Sequence, residues 1–451
     1  MLWLPAIRKI FTFVLTTPSF FVSNIFDKAT DAISRRPQDF VWAAGIEDTF
    51  VPQVRPGHRP LDEYELLGHY KHWRTDLDLC KELGLQALRW GVPWYKVEPE
   101  PGKFDWSWID EVIPYMVEEL GIMPILDLMH YGCPDWLERG FVNKDYPKYV
   151  ARYAAAFAER YKHLIKWYTP LNEPIVTALM CGMRGSWPPY LRGEKGYLRV
   201  MMALARGITE TVRAIRSIQD DAVMVHVEAT GLTRTIREDL ASLAREEMHR
   251  GFLCYDLVTG RVAHDHLLFS WLLRNGAAID ELNSLQEDAI DLDIIGMNFY
   301  PQWSTKQIYL DKKGRIAFRD TEFEGEGFSE VIRHYHERYD RPILITETSA
   351  VGSDEIRLRW LQSSVNAIKG LRQEGVPVIG YTWFPMFTMI DWRYRFGTDP
   401  LENYYLELGL YKLNRAKGPR WCDTPLVSEF RNFVADPENA IGHIGQMAAS
   451  K

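Results

Sequence analysis

Eight short apolar runs, separated by longer stretches of helical periodicity, constrain this chain more than any other feature. The runs occupy residues 40–45 (FVWAAG), 86–92 (QALRWGV), 123–128 (MPILDL), 167–171 (WYTPL), 223–227 (VMVHV), 292–298 (LDIIGMN), 342–346 (PILIT) and 378–384 (VIGYTWF). They are nearly continuous in apolar residues, without strict alternation, as expected of parallel strands covered on both faces. Between them, segments 70–83, 108–120, 149–163 and 355–373 repeat apolar residues three and four apart, the spacing of crossover helices. Gly84, Gly121 and Gly375 each stand after a helical run and before the next strand, where a C-terminal glycine cap belongs. Strand and helix alternating through eight units predict an α/β fold, a single (β/α)8 TIM barrel.

No Gly/Ser linker or low-complexity stretch divides the chain, and its 451 residues fit one elaborated barrel. The expected organisation is an N-terminal apolar arm (1–36), the barrel (37–440) and a C-terminal tail (441–451). Insertions at 182–196 and 300–319 follow the fourth and sixth strands, on the side of the barrel where active sites are built. The second insertion predicts a hairpin around Asp311 and Gly314.

Composition narrows the partners. The net charge of -8 is spread along the chain without a basic stripe, which excludes a nucleic-acid partner. Cys80, Cys133, Cys181, Cys254 and Cys422 are scattered and odd in number, so neither a disulfide framework nor a zinc spacing is suggested and a reducing, cytoplasmic compartment is expected. No residue cluster has recognisable ligand spacing, so no metal and no cofactor are implied. The first 26 residues are apolar around Arg8 and Lys9, but Thr16, Thr17, Pro18, Ser19, Ser23 and Asn24 interrupt the run. Two readings stay open: a signal or anchor, or an amphipathic arm that packs on the barrel or lies on a membrane, giving peripheral association through residues 1–35.

The fourth strand runs into "WYTPLNEP" and the seventh into "PILITETS", so each delivers a glutamate, Glu173 and Glu347, at its C-terminal tip. Two carboxylates at one barrel mouth suit glycoside hydrolysis: one protonated to donate to the leaving oxygen, the other ionised to attack the anomeric carbon, about 5 Å apart for retention. Rival barrel chemistries need a lysine at an inner strand tip or a glycine-rich anion loop after strands seven and eight. The sequence has neither; Lys96 falls in the loop beyond the second strand.

"TPLNEP" and "LITET" resemble the acid/base and nucleophile motifs of glycoside hydrolase family 1, the β-glucosidase family. "FVWAAG", "GLQALRWGVPWYKVEPEPGKFDW", "LDLMHYGCPDWL", "IIGMNFY" and "GYTWFPMF…IDW…RFG" resemble its first, second, third, sixth and eighth strands, so the likeness runs from about residue 40 to about 414. It implies a retaining β-glycosidase acting on a small-molecule β-glycoside, with Glu173 as general acid then base and Glu347 as nucleophile. Arg89 would sit beside Glu347 and orient it, Tyr300 would donate to it, and Asn298 would line the same region. Asn172 would bond the sugar 2-hydroxyl, while His130 and Trp383 would contact sugar hydroxyls and a sugar face. Asp391 and Trp392 are similar to an acidic-aromatic pair that grips distant hydroxyls, although the acid is Asp and its spacing from Trp383 is one residue longer than in the family.

There are further departures. Where the family carries a sugar-recognising glutamine after the first strand, "GIEDTF" offers Glu47, Asp48 and Phe50, and Thr348 and Ser349 replace the usual Asn-Gly after the nucleophile. The segment "MCGMRGSWPP" resembles divergent relatives that act on glycolipids. The alternatives are glycosyl transfer to an alcohol or glycolipid acceptor, which shares the first half-reaction, and a non-catalytic carbohydrate-binding barrel, which would have no need of both carboxylates.

Overall fold

The computed structural model describes residues 35–321, 325–416 and 418–445. Residues 1–34 of the N-terminal arm, with its proposed membrane contact, lie outside the described residues. All eight expected strands form, with ends within two residues of the expected ones: β1 (Val41–Gly45), β2 (Ala87–Gly91), β3 (Met123–Asp127), β4 (Trp167–Thr169), β5 (Val223–Ala229), β6 (Ile294–Phe299), β7 (Ile343–Thr348) and β8 (Val378–Trp383). They close into one parallel barrel in sequential order, β8 pairing with β1.

Strand periodicity divides each run between two cores. Val41, Ala43, Ala87, Ile125, Trp167, Val225, Ile294 and Leu344 fill the barrel interior. Their neighbours point outward against the helices, as Trp42 does beneath Phe430 and Phe433 of the C-terminal helix Pro425–Ala435. Both faces of every strand are thus buried, which is why the sequence shows unbroken apolar runs.

The crossover helices include α1 (His69–Glu82), α2 (Tyr146–Tyr161), α3 (Pro174–Ala178), α4 (Gly193–Arg216), α5 (Ala241–Val258), α6 (Glu326–Tyr339) and α7 (Asp354–Gln373). Gly84, Gly121 and Gly375 take φ of 83°, 64° and 95°, the left-handed geometry that ends a helix at little cost for glycine. The segment expected as one helix at 108–120 is instead a helix at Ile109–Pro114 followed by a wider turn at Tyr115–Glu119. Pro114 has no N–H to donate, and the backbone accommodates this by shifting to a five-residue repeat, with Leu120 N–H donating to the Tyr115 carbonyl.

The expected hairpin is present as strands Thr305–Leu310 and Ile316–Asp320, turning through Gly314 at φ 71°, and Leu232–Arg234 adds a third, parallel strand. The chain beyond Ile441 is docked at its start. Ile444 N–H donates to the Arg35 carbonyl and Gly445 N–H to the Arg372 carbonyl, so residues 442–445 belong to the barrel's outer layer. No helix among the described residues is long and apolar enough to cross a membrane. The five cysteines are unpaired, four of them buried.

Candidate active site

Two local irregularities aim the glutamates. Glu173 follows β4 at φ 44° and ψ 70°, a left-handed conformation unusual for a side chain with a Cβ, just ahead of Pro174 at the start of α3. Its N–H donates to the Val227 carbonyl of β5, which holds the turn. Glu347 lies on β7 where the register against β6 shifts between Ile345 and Glu347, the kind of bulge that re-aims a side chain. Thr346 and Glu347 therefore both serve the site: the Thr346 hydroxyl donates to Asn298 Oδ1 at 2.7 Å, and Glu347 stands opposite Asn298. The two glutamates are only 6% and 4% exposed, so they work in a nearly water-free setting.

One chain of hydrogen bonds joins them. Arg89, inward on β2, donates through Nη1 to Glu347 Oε1 and through Nη2 to Asn172 Oδ1 at 2.6 Å. Its Nε and Nη2 also grip both oxygens of Asp127 at the tip of β3. Asn298 Nδ2 then donates to Asn172 Oδ1 at 3.1 Å and to Glu173 Oε1 at 2.9 Å. Tyr300 donates its hydroxyl to Glu347 Oε2 at 2.6 Å, so Glu347 has a guanidinium on one oxygen and a hydroxyl on the other, and the cationic donor suits an anion. On the other glutamate, Oε2 accepts the Tyr131 hydroxyl.

The environments of the two glutamates differ in kind. Burial, then the charge of Glu347, pushes the Glu173 carboxyl up to about 7, against the hydrogen bonds from Tyr131 and Asn298. The carboxyl is thus still partly protonated near neutral pH and can supply a proton. His130 is sandwiched: Nδ1 lies 2.7 Å from Asp48 and 3.3 Å from Asp127, and Asn172 Nδ2 approaches Nε2 at 2.8 Å. Burial opposes a positive charge on the ring, while Asp48 and Asp127 favour a proton on the nitrogen that faces them. Asn172 cannot flip, because Arg89 and Asn298 both donate to its oxygen, so its amide donates to Nε2 and the held proton sits on Nδ1, facing the two aspartates.

Of the residues expected from sequence, Glu173, Glu347, Arg89, Asn172, Asn298, Tyr300 and His130 form this one cluster. Trp392 lies at its rim, its ring edge-on to Tyr131 at 5.4 Å and to Trp187 at 5.1 Å. Two expectations need correction. Trp383 is fully buried, and its indole N–H donates to the Leu408 carbonyl, so it is committed to the core. The aromatic ring at the tip of β8 that faces the cluster is Phe384, stacked on His130 and lying 5.3 Å from the Arg89 guanidinium. Gly45 makes this possible, since a Cβ there would come within 2.2 Å of the Phe384 ring. Asp391 is also engaged elsewhere, accepting from the Arg393 backbone N–H and pairing with the exposed Arg393 guanidinium. In this structure the acid caps its own short helix.

Sequence reasoning missed Tyr131, Asp127 and Phe384. Each lies beside a residue or motif already singled out, but none has a type or spacing that announces a role; Tyr131 adopts φ 75°, which nothing in "MHYG" foretells. The acids after β1 are deeply buried: Glu47 is pushed up to about 7 and Asp48 to about 6, chiefly by burial, with His130 opposing. Glu63 joins them, one oxygen accepting from the Ile390 N–H and its carboxyl raised by burial and by Glu47. Gly91 gives Asp48 its place, since a Cβ there would overlap the Asp48 carboxylate at 1.8 Å.

A closed parallel barrel presenting this pair of carboxylates is that of a glycoside hydrolase. The chain belongs to glycosyl hydrolase family 1, whose model matches residues 46–399. It is similar to beta-glucosidase A of Thermotoga maritima, 23% identical over 356 residues, covering 72% of this chain and 78% of the relative. It is also similar to a 1,4-beta-D-glucan glucohydrolase of Thermotoga neapolitana, 21% identical over 351 residues, covering 72% and 82%. Among solved structures, the family 1 b-glucosidase of Thermotoga maritima in complex with isofagomine lactam superposes with a TM-score of 0.78 at 19% identity, covering 90% of this chain and 99% of that one.

Proposed function

We propose that this protein is a retaining β-glycosidase of the β-glucosidase type, which cleaves its substrate by double displacement. The observation that carries the reading is the contrast between two linked carboxylates: Glu347 receives Arg89 and Tyr300 on its two oxygens, while Glu173 is pushed up to about 7. In the first step Glu347 attacks the anomeric carbon, and the glycosidic bond breaks as its oxygen takes the proton from Glu173. The charge on Glu347 is then consumed in the glycosyl ester. The carboxylate left on Glu173 draws the proton from a water molecule, whose oxygen attacks the anomeric carbon and releases Glu347. Arg89, Asn172, Asn298 and Tyr300 serve as the frame that keeps both groups oriented, which is where preorganisation lowers the barrier.

A panel of aryl β-glycosides tests this. Release of the aryl alcohol is expected, falling by several orders of magnitude in Glu173→Ala and Glu347→Ala. Azide partly rescues Glu173→Ala by attacking the glycosyl-enzyme, and with Glu347→Gly it yields the inverted glycosyl azide. Wild-type turnover in both alanine variants refutes the assignment.

A further inference from the structure

A second polar cluster lies on the outer face of the barrel, behind the acid/base glutamate. On β5, Val223, Val225 and Val227 face the interior. Alternation therefore turns Met224, His226 and Glu228 toward the helix layer, where barrels ordinarily place apolar contacts. His226 is 3% exposed and Glu228 is 2% exposed, and fully buried Cys254 of α5 meets them there. One donor atom from each of the three lies within 4.8 Å of the other two.

The cluster is not satisfied by the protein. His226 Nε2 and Glu228 Oε2 are buried without a hydrogen-bond partner among the described residues. The other carboxylate oxygen, Oε1, accepts the N–H groups of Ala229 at 2.9 Å and Ile175 at 3.2 Å, so the side chain is fixed while Oε2 remains available. Native interiors rarely leave buried polar side chains in this condition, and where they do, an ion or water is the usual explanation.

We propose that His226, Glu228 and Cys254 form a buried site for a soft divalent cation, zinc by the nature of its donors. An imidazole nitrogen, a thiolate and a carboxylate oxygen are a zinc set, whereas magnesium and calcium call for oxygen donors throughout. Bonds of about 2.0–2.3 Å in tetrahedral geometry bring the donors about 3.3–3.8 Å apart, inside the 4.8 Å within which they now lie. On binding, the Cys254 thiol and the Glu228 carboxyl each release a proton to solvent, and their two negative charges cancel the cation's charge, so no net charge is buried. A water molecule completes the fourth position. The site braces the catalytic turn, because Glu228 Oε1 holds the Ile175 N–H two residues past Glu173, and the Val227 carbonyl between His226 and Glu228 accepts the Glu173 N–H.

The proposal uses residues outside the carboxylate pair. Asp48, Asp127 and His130 also lie within 4.8 Å of one another, but that group belongs to the site already described, and Asp127 is already bound by the Arg89 guanidinium. Ligand spacing in the sequence gave no hint of the new cluster because Cys254 reaches it from a separate helix.

The full chain, expressed without a histidine tag and freed of loose metal by gel filtration, is analysed by inductively coupled plasma mass spectrometry. About one zinc per chain is expected, falling to trace in His226→Ala and Cys254→Ser. Wild-type protein stripped by chelator and reloaded with Co2+ is expected to show a thiolate-to-cobalt charge-transfer band, absent in Cys254→Ser, and to unfold at a higher temperature than the stripped form. Wild-type chains that take up neither zinc nor cobalt, or a cobalt band that survives Cys254→Ser, overturn the proposal. If either variant fails to fold, the thiolate-to-cobalt band of the wild type decides the matter, since the Asp48, Asp127 and His130 group has no sulfur to give one.

Discussion

Tyr131→Phe isolates one hydrogen bond on Glu173, the proposed acid/base. The phenol donates to Glu173 Oε2, and its ring is held edge-on by His130 and against Trp187 and Trp392, so phenylalanine keeps the packing and removes only the donor. Hydrogen bonds to a charged acceptor contribute about 1.5–3 kcal/mol and neutral ones about 0.5–1.5, so the bond favours ionised Glu173 by about 1–1.5 kcal/mol. At 1.36 kcal/mol per unit this corresponds to about one pH unit. Glu173 must carry its proton to act as the acid, so activity is lost as pH rises through its pKa. With that pKa now at about 7, losing the donor raises it further and moves the alkaline limb of kcat/KM to higher pH, toward about 8. The profile is measured on a β-glycoside with a poor leaving group, so that proton donation limits the first step, and thermal unfolding confirms that the variant is intact. An alkaline limb that stays in place, or moves to lower pH, refutes the role assigned to Tyr131.

Arg89→Met leaves Asp127 and Glu347 buried without their shared cation, and the unfolding free energy from chemical denaturation is expected to fall by about 3–5 kcal/mol; a loss under about 1 kcal/mol would mean the ion pairs contribute little to stability. Asp391→Ala removes a partner only of exposed Arg393, a solvent-screened pairing, so kcat/KM should stay within about threefold of wild type. A hundredfold loss there would restore the sugar-gripping role.

Legibility of the site in the sequence followed the reach of local signals. Glu173 and Glu347 could be found because each closes an apolar strand, and a strand tip in a barrel has only one destination. Arg89, Asn172, Asn298, Tyr300 and His130 came with them through motif resemblance. Trp383 was the wrong choice between two adjacent aromatics: its indole is tied to the Leu408 carbonyl, while Phe384 faces the cluster, and counted from Phe384 the spacing to Asp391 loses its extra residue. Tyr131 and Phe384 were hidden for the converse reason: their roles depend on a backbone angle and on the room left by Gly45, neither of which is encoded by residue type.

The sequence by itself determined the eight strands, the helices at 70–83, 149–163 and 355–373, the glycines that follow helical runs and the two acids at the barrel mouth. Each of these rests on periodicity or on neighbours a few residues apart. Only the tertiary structure decided that burial and Glu347 raise the Glu173 carboxyl, that buried acids crowd Arg89 and His130, and that a histidine, a glutamate and a cysteine meet behind β5. Those outcomes depend on burial and on charges brought together from distant parts of the chain, and electrostatic energy in a dry interior is set by distance in space rather than by distance along the sequence.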